Sequence, residues 1–333
     1  MSKMRSLHGS ILRNVSRSIY LSIRLLPARL RRPVGLAYLL ARATDTVADT
    51  PQVVSEARTE MLSDLASVIL GDISPDALDN LVGTFAPLQT NRAEQRLIEE
   101  LPSCIGEMQR MDPADRDDIR TVLGKITQGQ ALDVARFADA TEPHALATDL
   151  ELHEYTYLVA GCVGEFWTRL CFRHVHNFAD LPEGEMSDLG KRYGNGLQLI
   201  NILRDAHSDL HAGRCYFPLQ ELKEIGLEPA HILAEPSRFE FILEKWRDEA
   251  QHGLTAGMNY VHAIRNRRVR GATALPALIG ARTLALMRAA GPRTELHRNI
   301  KTPRREVRSM LWRVAGTLAS RETLTKMFTA ALE

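Results

Sequence analysis

The sequence has little that would mark a secreted protein. It contains only four cysteines in 333 residues, and no two of them form a C-x-x-C pair. Disulfide-stapled scaffolds are much smaller and richer in cysteine, so we expect free thiols in a cytoplasmic protein. The N-terminus also lacks the charged, apolar and small-residue regions of a secretory signal. The four cysteines are Cys104, Cys162, Cys171 and Cys215.

Long hydrophobic runs are absent as well. No apolar run approaches the roughly 18 residues that a membrane-spanning helix needs, and Arg313, Arg321 and Lys326 interrupt the last apolar stretch. We therefore expect a soluble protein, which would contact the inner face of the membrane only peripherally.

There is also no strong excess of charge of one sign. The formal net charge is +1, which gives no long-range field toward nucleic acid. We expect no nucleic-acid partner and no obligate protein partner. The charge is unevenly placed, however, because residues 1–50 hold nine Lys and Arg but only two acids, Asp45 and Asp49. This excess fits a solvated basic surface as well as a site for a phosphorylated ligand or an anionic membrane.

Apolar residues recur with a helical period along nearly the whole chain. Proline and glycine cluster between the helical segments, and no stretch alternates like a β-strand. No linker is long enough to divide the chain, so we predict an all-α fold with a single domain over residues 1–333. The predicted helices lie near 11–26, 35–50, 56–70, 91–110, 114–138, 148–173, 186–209, 237–265, 272–290 and 304–331.

Two of these helices carry the pattern D-x-x-x-D. At 100° per residue, each aspartate pair belongs to a polar stripe that covers about 60° to 80° of one helix face. The neighbouring stretches are too apolar for a bare surface, so we expect both stripes to face an interior cavity. The stripes are Tyr38, Arg42, Asp45 and Asp49 on the first helix and Gln198, Asn201, Asp205 and Asp209 on the second.

Aspartate pairs at this spacing favour a cation. Carboxylates four residues apart repel each other, and in a cleft the pKa of one would rise unless cations hold both ionised. Mg²⁺ suits such a pair because it prefers hard oxygen ligands and often binds one or two carboxylates together with substrate phosphates. Two facing pairs would clamp a diphosphate and stabilise the charge on the leaving group. A single pair is more often a solvated helix face, and a di-iron bundle would need Glu-x-x-His motifs, which are missing.

Four segments follow one another over roughly residues 10–290 and together resemble the squalene/phytoene synthases, the head-to-head branch of the class I isoprenoid synthases. They are Ser16-Arg17-Ser18, the first aspartate segment from Tyr38 to Asp49, the segment from Tyr155 to Gly164, and the second aspartate segment from Gly196 to Pro218. The resemblance implies an all-α isoprenoid synthase bundle around a central cavity. It also implies a prenyltransferase that condenses two farnesyl diphosphates.

The resemblance further implies roles for individual residues. Mg²⁺ would be held by the aspartates, with Asn201 and Gln198 beside them, and Tyr38 and Tyr155 would border the reacting carbons. The metal ligands would be Asp45, Asp49, Asn201, Asp205 and Asp209, and the residues that bind or orient diphosphate would be Ser16, Arg17, Arg42, Gln198, Arg204, Arg214 and Tyr216.

Departures from the family pattern bear on the product. Leu158 stands where eukaryotic squalene synthases place a reactive tyrosine, so Tyr155 or Tyr157 would replace it, or no tyrosine acts. Ala48 replaces an acid of the first motif, and Thr156 replaces the family's usual cysteine.

The sequence contains fewer recognisable motifs for the reduction by NADPH than for the condensation. The chain has no G-x-G-x-x-G in a βαβ unit, so NADPH would bind without a Rossmann fold. Lys301 and Arg304 resemble a cofactor segment of the family, although Pro303 interrupts the match and a solvated basic loop is the competing interpretation. The segment Gly194-Asn-Gly196-Leu-Gln198 favours squalene synthase. The alternatives are a phytoene or dehydrosqualene synthase, a presqualene diphosphate synthase, and a family-derived binding or assembly protein without activity.

Overall fold

The computed structural model describes residues 11–15, 23–24, 26–50, 52–137 and 143–333. The described chain is helical almost throughout, which confirms the all-α class. The contacts between residues group it into two compact units, Met1–Ala138 with Arg169–His174, and Asp139–Thr168 with Val175–Glu333. The prediction of one domain over residues 1–333 stays a prediction.

The first unit contains the helices α1 (Leu12–Val15), α2 (Ala28–Ala48), α3 (Ser55–Leu70), α4 (Leu78–Phe85), α5 (Arg92–Glu99), α6 (Leu101–Gln109) and α7 (Pro113–Arg136). Helix α2 packs against α3 and α7. Its inner face buries Leu36, Leu40 and Val47, whose spacing follows the helical period. The predicted segment begins at residue 35, after Pro33, but the helix begins at Ala28 and continues through Pro33 in its second turn.

The second unit contains α8 (Asp149–Thr156), a π-helical turn (Tyr157–Gly161), α10 (Glu183–His211), α11 (Leu219–Glu224), α12 (Pro236–Ala263), α13 (Arg267–Glu295), α14 (Arg304–Gly316) and α15 (Arg321–Leu332). Helix α9 (Cys162–His174) contributes its first part to this unit and its last turns to the first unit. Helix α13 kinks at Gly291, which has a φ of 73° and precedes Pro292. That kink lies where the predicted helix ends.

Helix α10 is the central element of the second unit, because it packs against α12, α13 and the π-helical turn. Glycines allow the closest approaches. A Cβ atom on Gly164 would lie 2.0 Å from the carbonyl oxygen of Gly190, and one on Gly196 would lie 2.7 Å from the Cα of Gly253. These glycines are therefore what lets the helices of the second unit pack so closely.

The end of α9 is fixed to α7 within the first unit by an ion-pair cluster. Asp115 and Asp118 are buried on α7 and face Arg169, Arg173 and His174. Arg173 bonds both acids, at 2.8 Å to Asp115 and 2.7 Å to Asp118. Buried acids require such partners, since an unpaired charge in the interior is strongly unfavourable.

A short β-pairing was missed by the sequence analysis. The strand β1 (His144–Ala145) pairs in parallel with β2 (Arg214–Cys215). Two residues are too few to show alternation, so the pattern could not be recognised in the sequence. The bonds His144 N–H to Gly213 O, 2.9 Å, and Leu146 N–H to Cys215 O, 3.1 Å, fix the segment that follows α10.

Other differences concern where helices begin and end. Helices α4 and α11 were not predicted, and each of the predicted segments 91–110, 148–173 and 304–331 consists of more than one helix. The first of these divides at Glu100, and Pro102 at the start of α6 is the signal for the new helix. All four cysteines are buried and form no disulfide. Among the described residues, no helix is both long enough and apolar enough to span a bilayer.

Candidate functional site

The first aspartate pair lies at the C-terminal end of α2. Asp45 belongs to the last turn, and Asp49 caps the helix with its N–H donating to the Asp45 carbonyl oxygen at 2.9 Å. The two carboxylates are therefore on the same side of the helix end. The C-terminus of a helix carries a partial negative charge, so this position disfavours anions and favours a cation.

The charge on Asp45 is disfavoured in the structure. Its pKa is raised to about 6, first by burial of the carboxyl group and then by the negative charge of Asp49. Arg42 and a hydrogen bond from the Gln130 amide oppose this shift without cancelling it. Although 46% of the Asp45 side-chain surface is open to solvent, the neighbours crowd its carboxylate. A bound cation would relieve the repulsion between the two aspartates.

Two residues that were not predicted from the sequence, Glu94 and Gln130, contact this end of α2. Arg42 donates to Glu94 on α5 at 2.6 Å and lies 3.7 Å from the Asp45 carboxylate. Gln130 on α7 donates to Asp45, and its own Oε1 is a buried atom without a hydrogen-bond partner. Neither Glu94 nor Gln130 belongs to a sequence motif, so only the packing of α5 and α7 against α2 could reveal them. Tyr38 lies one turn before Arg42.

The second aspartate pair lies in the last two turns of α10, again at a helix C-terminus. Arg204 forms a bidentate ion pair with Asp205, through Nε to Oδ1 at 3.0 Å and through a terminal nitrogen to Oδ2. Asn299 also donates to Asp205, at 3.2 Å. Arg214 donates to Asp209 at 2.7 Å. Each aspartate of this pair is thus neutralised by an arginine.

The amide residues of the second stripe lie one turn before the aspartates. Asn201 donates to the Gln198 side-chain oxygen at 3.2 Å, which holds both amides on one face of α10. The side-chain oxygen of Asn201 is a neutral hard donor of the kind that a cation beside the carboxylates would accept.

The β-pairing positions the residues after α10. Gly213 adopts a φ of 77° and turns the chain, and Arg214 follows it in β2. Tyr216 then stacks on Tyr155 of α8, with ring centroids 5.0 Å apart and an interplanar angle of 23°. The structure thus brings Tyr155 and Tyr216 together, which sequence spacing alone did not indicate.

The segment around Leu158 forms the π-helical turn. Leu158 is buried and carries no hydroxyl group. The neighbouring Tyr157 donates to Glu165 at 3.2 Å. The turn passes so close to α10 that a Cβ on Gly194 would lie 2.3 Å from the Ala160 oxygen. Single π-helical turns are costly and are often found at functional sites.

The remaining predicted residues lie elsewhere. Lys301 and Arg304 are exposed, in the loop before α14 and at its first residue. Thr302 between them is hydrogen-bonded to Thr283 at 2.9 Å. Ser16 and Arg17 lie outside the described residues.

The carboxylate donors fit a Mg²⁺ ion whose remaining ligands come from a bound molecule and from water. In the part of the chain that the structure describes, no three His, Cys, Asp or Glu side chains form a complete metal cage. Each aspartate pair offers two carboxylates, which matches a cation whose other ligands are phosphate oxygens and water. The donors also fit because each pair lies at the negative end of a helix.

The chain is similar to known proteins over most of its length. The family model "Squalene/phytoene synthase" matches residues 12–306. The chain is 30% identical over 225 residues to a bifunctional lycopene cyclase/phytoene synthase of Colletotrichum graminicola, covering 67% of this chain and 36% of that protein. It is 24% identical over 277 residues to human squalene synthase, covering 82% and 61%.

The chain thus spans less than two thirds of the length of these relatives. Among solved structures, the complex of TcSQS with the ligand E5700 has a TM-score of 0.74 at 20% identity and covers 99% of this chain and 92% of that one. That likeness concerns the fold. The family match extends over most of the chain and includes both aspartate pairs, and we conclude that the protein belongs to the squalene/phytoene synthase family.

Proposed function

We propose that the protein is a squalene synthase. It condenses two farnesyl diphosphates head to head to presqualene diphosphate, and then reduces this intermediate to squalene with NADPH. The observation that carries the proposal is that two helices of a family member each end in an aspartate pair accompanied by arginines.

Under this proposal, Asp45 and Asp49 on α2 and Asp205 and Asp209 on α10 hold Mg²⁺. Asn201 contributes an amide oxygen beside the second pair. The bound Mg²⁺ supplies positive charge that stabilises the diphosphate leaving group. The chain's own part is to present pairs of carboxylates that a bound cation would keep ionised.

The arginines would exchange partners when substrate binds. Arg204 and Arg214 are paired with Asp205 and Asp209. A cation on these aspartates would replace the arginine charge, and the planar guanidinium groups could then donate to diphosphate oxygens. Arg42, Gln198 and Tyr216 would take part in the same recognition, together with Ser16 and Arg17.

The second ionisation and the reduction depend on how the allylic cations are protected. A dry, apolar environment is needed because water would trap them. Leu158 offers no acid or base, so Tyr157 and Tyr155 are the candidate hydroxyls in this part of the chain. NADPH, when bound, supplies the hydride, and Lys301 and Arg304 are the proposed contacts of its phosphates.

The same leucine supports the alternative product class. An enzyme that lacks the tyrosine of the eukaryotic squalene synthases could stop at presqualene diphosphate, or release dehydrosqualene or phytoene without reduction. The purified protein should therefore be incubated with Mg²⁺ and farnesyl diphosphate, with and without NADPH, and the products identified by mass. Squalene that forms only with NADPH supports the proposal.

Other outcomes reassign the function. Presqualene diphosphate that accumulates despite NADPH identifies the half-reaction enzyme, and dehydrosqualene or phytoene identifies the carotenoid branch. No turnover of farnesyl or geranylgeranyl diphosphate would favour a binding or assembly protein without activity. Asp205→Asn should abolish most turnover in every enzymatic case. Asp188→Asn, an exposed aspartate on the same helix, is the matched control and should remain active.

A further inference from the structure

Apart from Arg304, which is also a proposed NADPH contact, helix α14 presents a face that the proposed chemistry does not use. The family model ends at residue 306, so most of α14 and all of α15 lie beyond the matched region. At 100° per residue, Arg304, Arg308, Trp312 and Arg305 occupy an arc of about 100° on α14. All four are exposed, and Trp312 exposes 76% of its surface.

The opposite side of α14 explains why this face points outward. Val314 is buried, and its Cγ1 would lie 3.1 Å from a Cβ on Gly271 of α13. Glu306 is the only acidic residue of the helix, and its carboxylate is bonded to Arg282 of α13 at 2.9 Å. The exposed arc therefore carries positive charge that no acid of the helix neutralises.

The turn after α14 adds an apolar residue at the same end. Leu318 and Ala319 both adopt left-handed conformations, with φ values of 51° and 52°, although neither is glycine. Such conformations are strained for residues with a Cβ. The turn buries Ala319 and leaves Leu318 62% exposed. We name Arg304, Arg305, Arg308, Trp312 and Leu318 the C-terminal basic face.

We propose that the C-terminal basic face binds the surface of an anionic lipid bilayer. Its arginines complement acidic headgroups, and the aliphatic part of each arginine can lie along the interface while the charge stays in water. Tryptophan is enriched at membrane interfaces because its ring is apolar and its N–H is polar. A basic arc around an exposed tryptophan, followed by an exposed leucine, is the pattern of an interfacial helix.

A lipid surface fits this face better than a nucleic acid does. Backbone contacts to nucleic acid need cations, but they give no role to the exposed leucine in the turn after α14. The whole chain also has a net charge of only +1, so the local arc is the basic feature rather than the protein as a whole. The inference does not depend on which prenyl product the enzyme makes.

Tryptophan fluorescence gives a direct test with the 333-residue chain. Of the three tryptophans, Trp246 is buried and Trp167 is partly covered, so Trp312 is the exposed one. Vesicles of phosphatidylcholine in which one third is replaced by phosphatidylglycerol should shift the emission to the blue. Lipids with brominated acyl chains should quench it. Trp312→Ser should remove both signals and weaken binding about ten-fold, as expected for the loss of one buried aromatic side chain.

The charge requirement is tested by co-sedimentation. Arg305→Gln with Arg308→Gln should lower partitioning onto the anionic vesicles about 25-fold, since each cation contributes a factor of about five at such a surface. The matched control, Arg92→Gln with Arg268→Gln, removes two exposed arginines on other helices and should leave partitioning unchanged. Phe241→Ser is the control for Trp312→Ser, because Phe241 is 74% exposed on α12.

Several results would overturn the inference. These are equal binding to pure phosphatidylcholine, equal losses in the control variants, or no quenching of Trp312 by brominated lipid. Binding to an oligonucleotide but not to vesicles would assign the face to nucleic acid. A dimer in sedimentation analysis that Trp312→Ser dissociates, without vesicle binding, would assign it to a second copy of the chain. Squalene production in detergent by the Arg305→Gln, Arg308→Gln variant keeps this test separate from the proposed reaction.

Discussion

The ion pair between Arg247 and Glu295 allows the sharpest stability prediction. Only 1% of the Arg247 side chain and none of the Glu295 side chain is exposed, so both charges lie in the interior of the second unit. Arg247 also bonds Glu240 at 2.9 Å and Glu244 at 2.8 Å. Glu295 receives its hydrogen bond from Arg247, and its other oxygen is buried without a partner.

This asymmetry predicts unequal costs for the two single substitutions. Arg247→Met should lower the free energy of unfolding by about 3–5 kcal/mol near neutral pH, because it leaves a buried carboxylate uncompensated. Glu295→Gln should cost about 1–2 kcal/mol, since the amide still accepts a hydrogen bond and Arg247 keeps two acidic partners. The double variant with methionine at both positions should be more stable than Arg247→Met alone.

The pH dependence gives a second criterion. Burial raises the pKa of Glu295, although Arg247 opposes that shift, and removal of Arg247 should raise it further. When the pKa of a carboxyl group is higher in the folded state, the free energy of unfolding of the protein falls as pH rises, because the unfolded chain releases its proton first. The cost of Arg247→Met should therefore shrink as pH is lowered from about 8 to about 5.

Urea unfolding followed by circular dichroism at several pH values measures these costs. Wild type, the two single variants and the double variant form a double-mutant cycle. The reasoning would be refuted if Glu295→Gln cost as much as Arg247→Met, or if the cost of Arg247→Met grew as pH fell.

Three further predictions concern helix packing and the aspartate pairs. Gly164→Ala should cost about 1–3 kcal/mol in thermal or urea unfolding, because the new Cβ meets the Gly190 oxygen, whereas Gly184→Ala has open space and should be near neutral; equal effects would contradict the packing argument. Without Mg²⁺, the contribution of Asp45 to stability should fall as pH rises from 3.8 to about 6, since only the folded state holds its proton across that range, and Asp45→Asn should abolish this slope in pH-dependent unfolding. Asp49→Asn should lower the pKa of Asp45 in a carboxyl NMR titration, because it removes the second cause of the upward shift, and an unchanged pKa would show that burial acts alone.

Much of the fold could be predicted because its signals are local. The helical period identified most helices, and the proline after Gly291 marked the kink in α13. The extent of α2 could not be predicted, because Pro33 lies inside the helix although an interior proline usually ends or kinks one. The β-pairing joins residues 144 and 214, and no local pattern reports a contact over that separation.

Only part of the candidate site could be predicted, again because the sequence reveals local patterns and not contacts between distant residues. The aspartate pairs repeat at helical spacing, so both could be found. Glu94 and Gln130 contact Arg42 and Asp45 from other helices, where a lone polar residue has no distinguishing pattern.

The segment around Gly194 and Gly196 shows a limit in predicting the product from the sequence. The sequence there favours squalene synthase, but both glycines lie where helices approach too closely for a Cβ. Such positions are required by backbone packing, so they carry little information about which prenyl chain is made.

The placement of both aspartate pairs at helix C-termini has a consequence for helix length. At each end, carboxylate charge adds to the negative pole of the helix and favours fraying of the last turn. A cation that binds the folded ends but not the frayed ones shifts that equilibrium by mass action. Amide hydrogens of residues 45–49 and 205–211 should therefore exchange more slowly as the Mg²⁺ concentration increases. The free concentration of the ion would then set how far each helix extends.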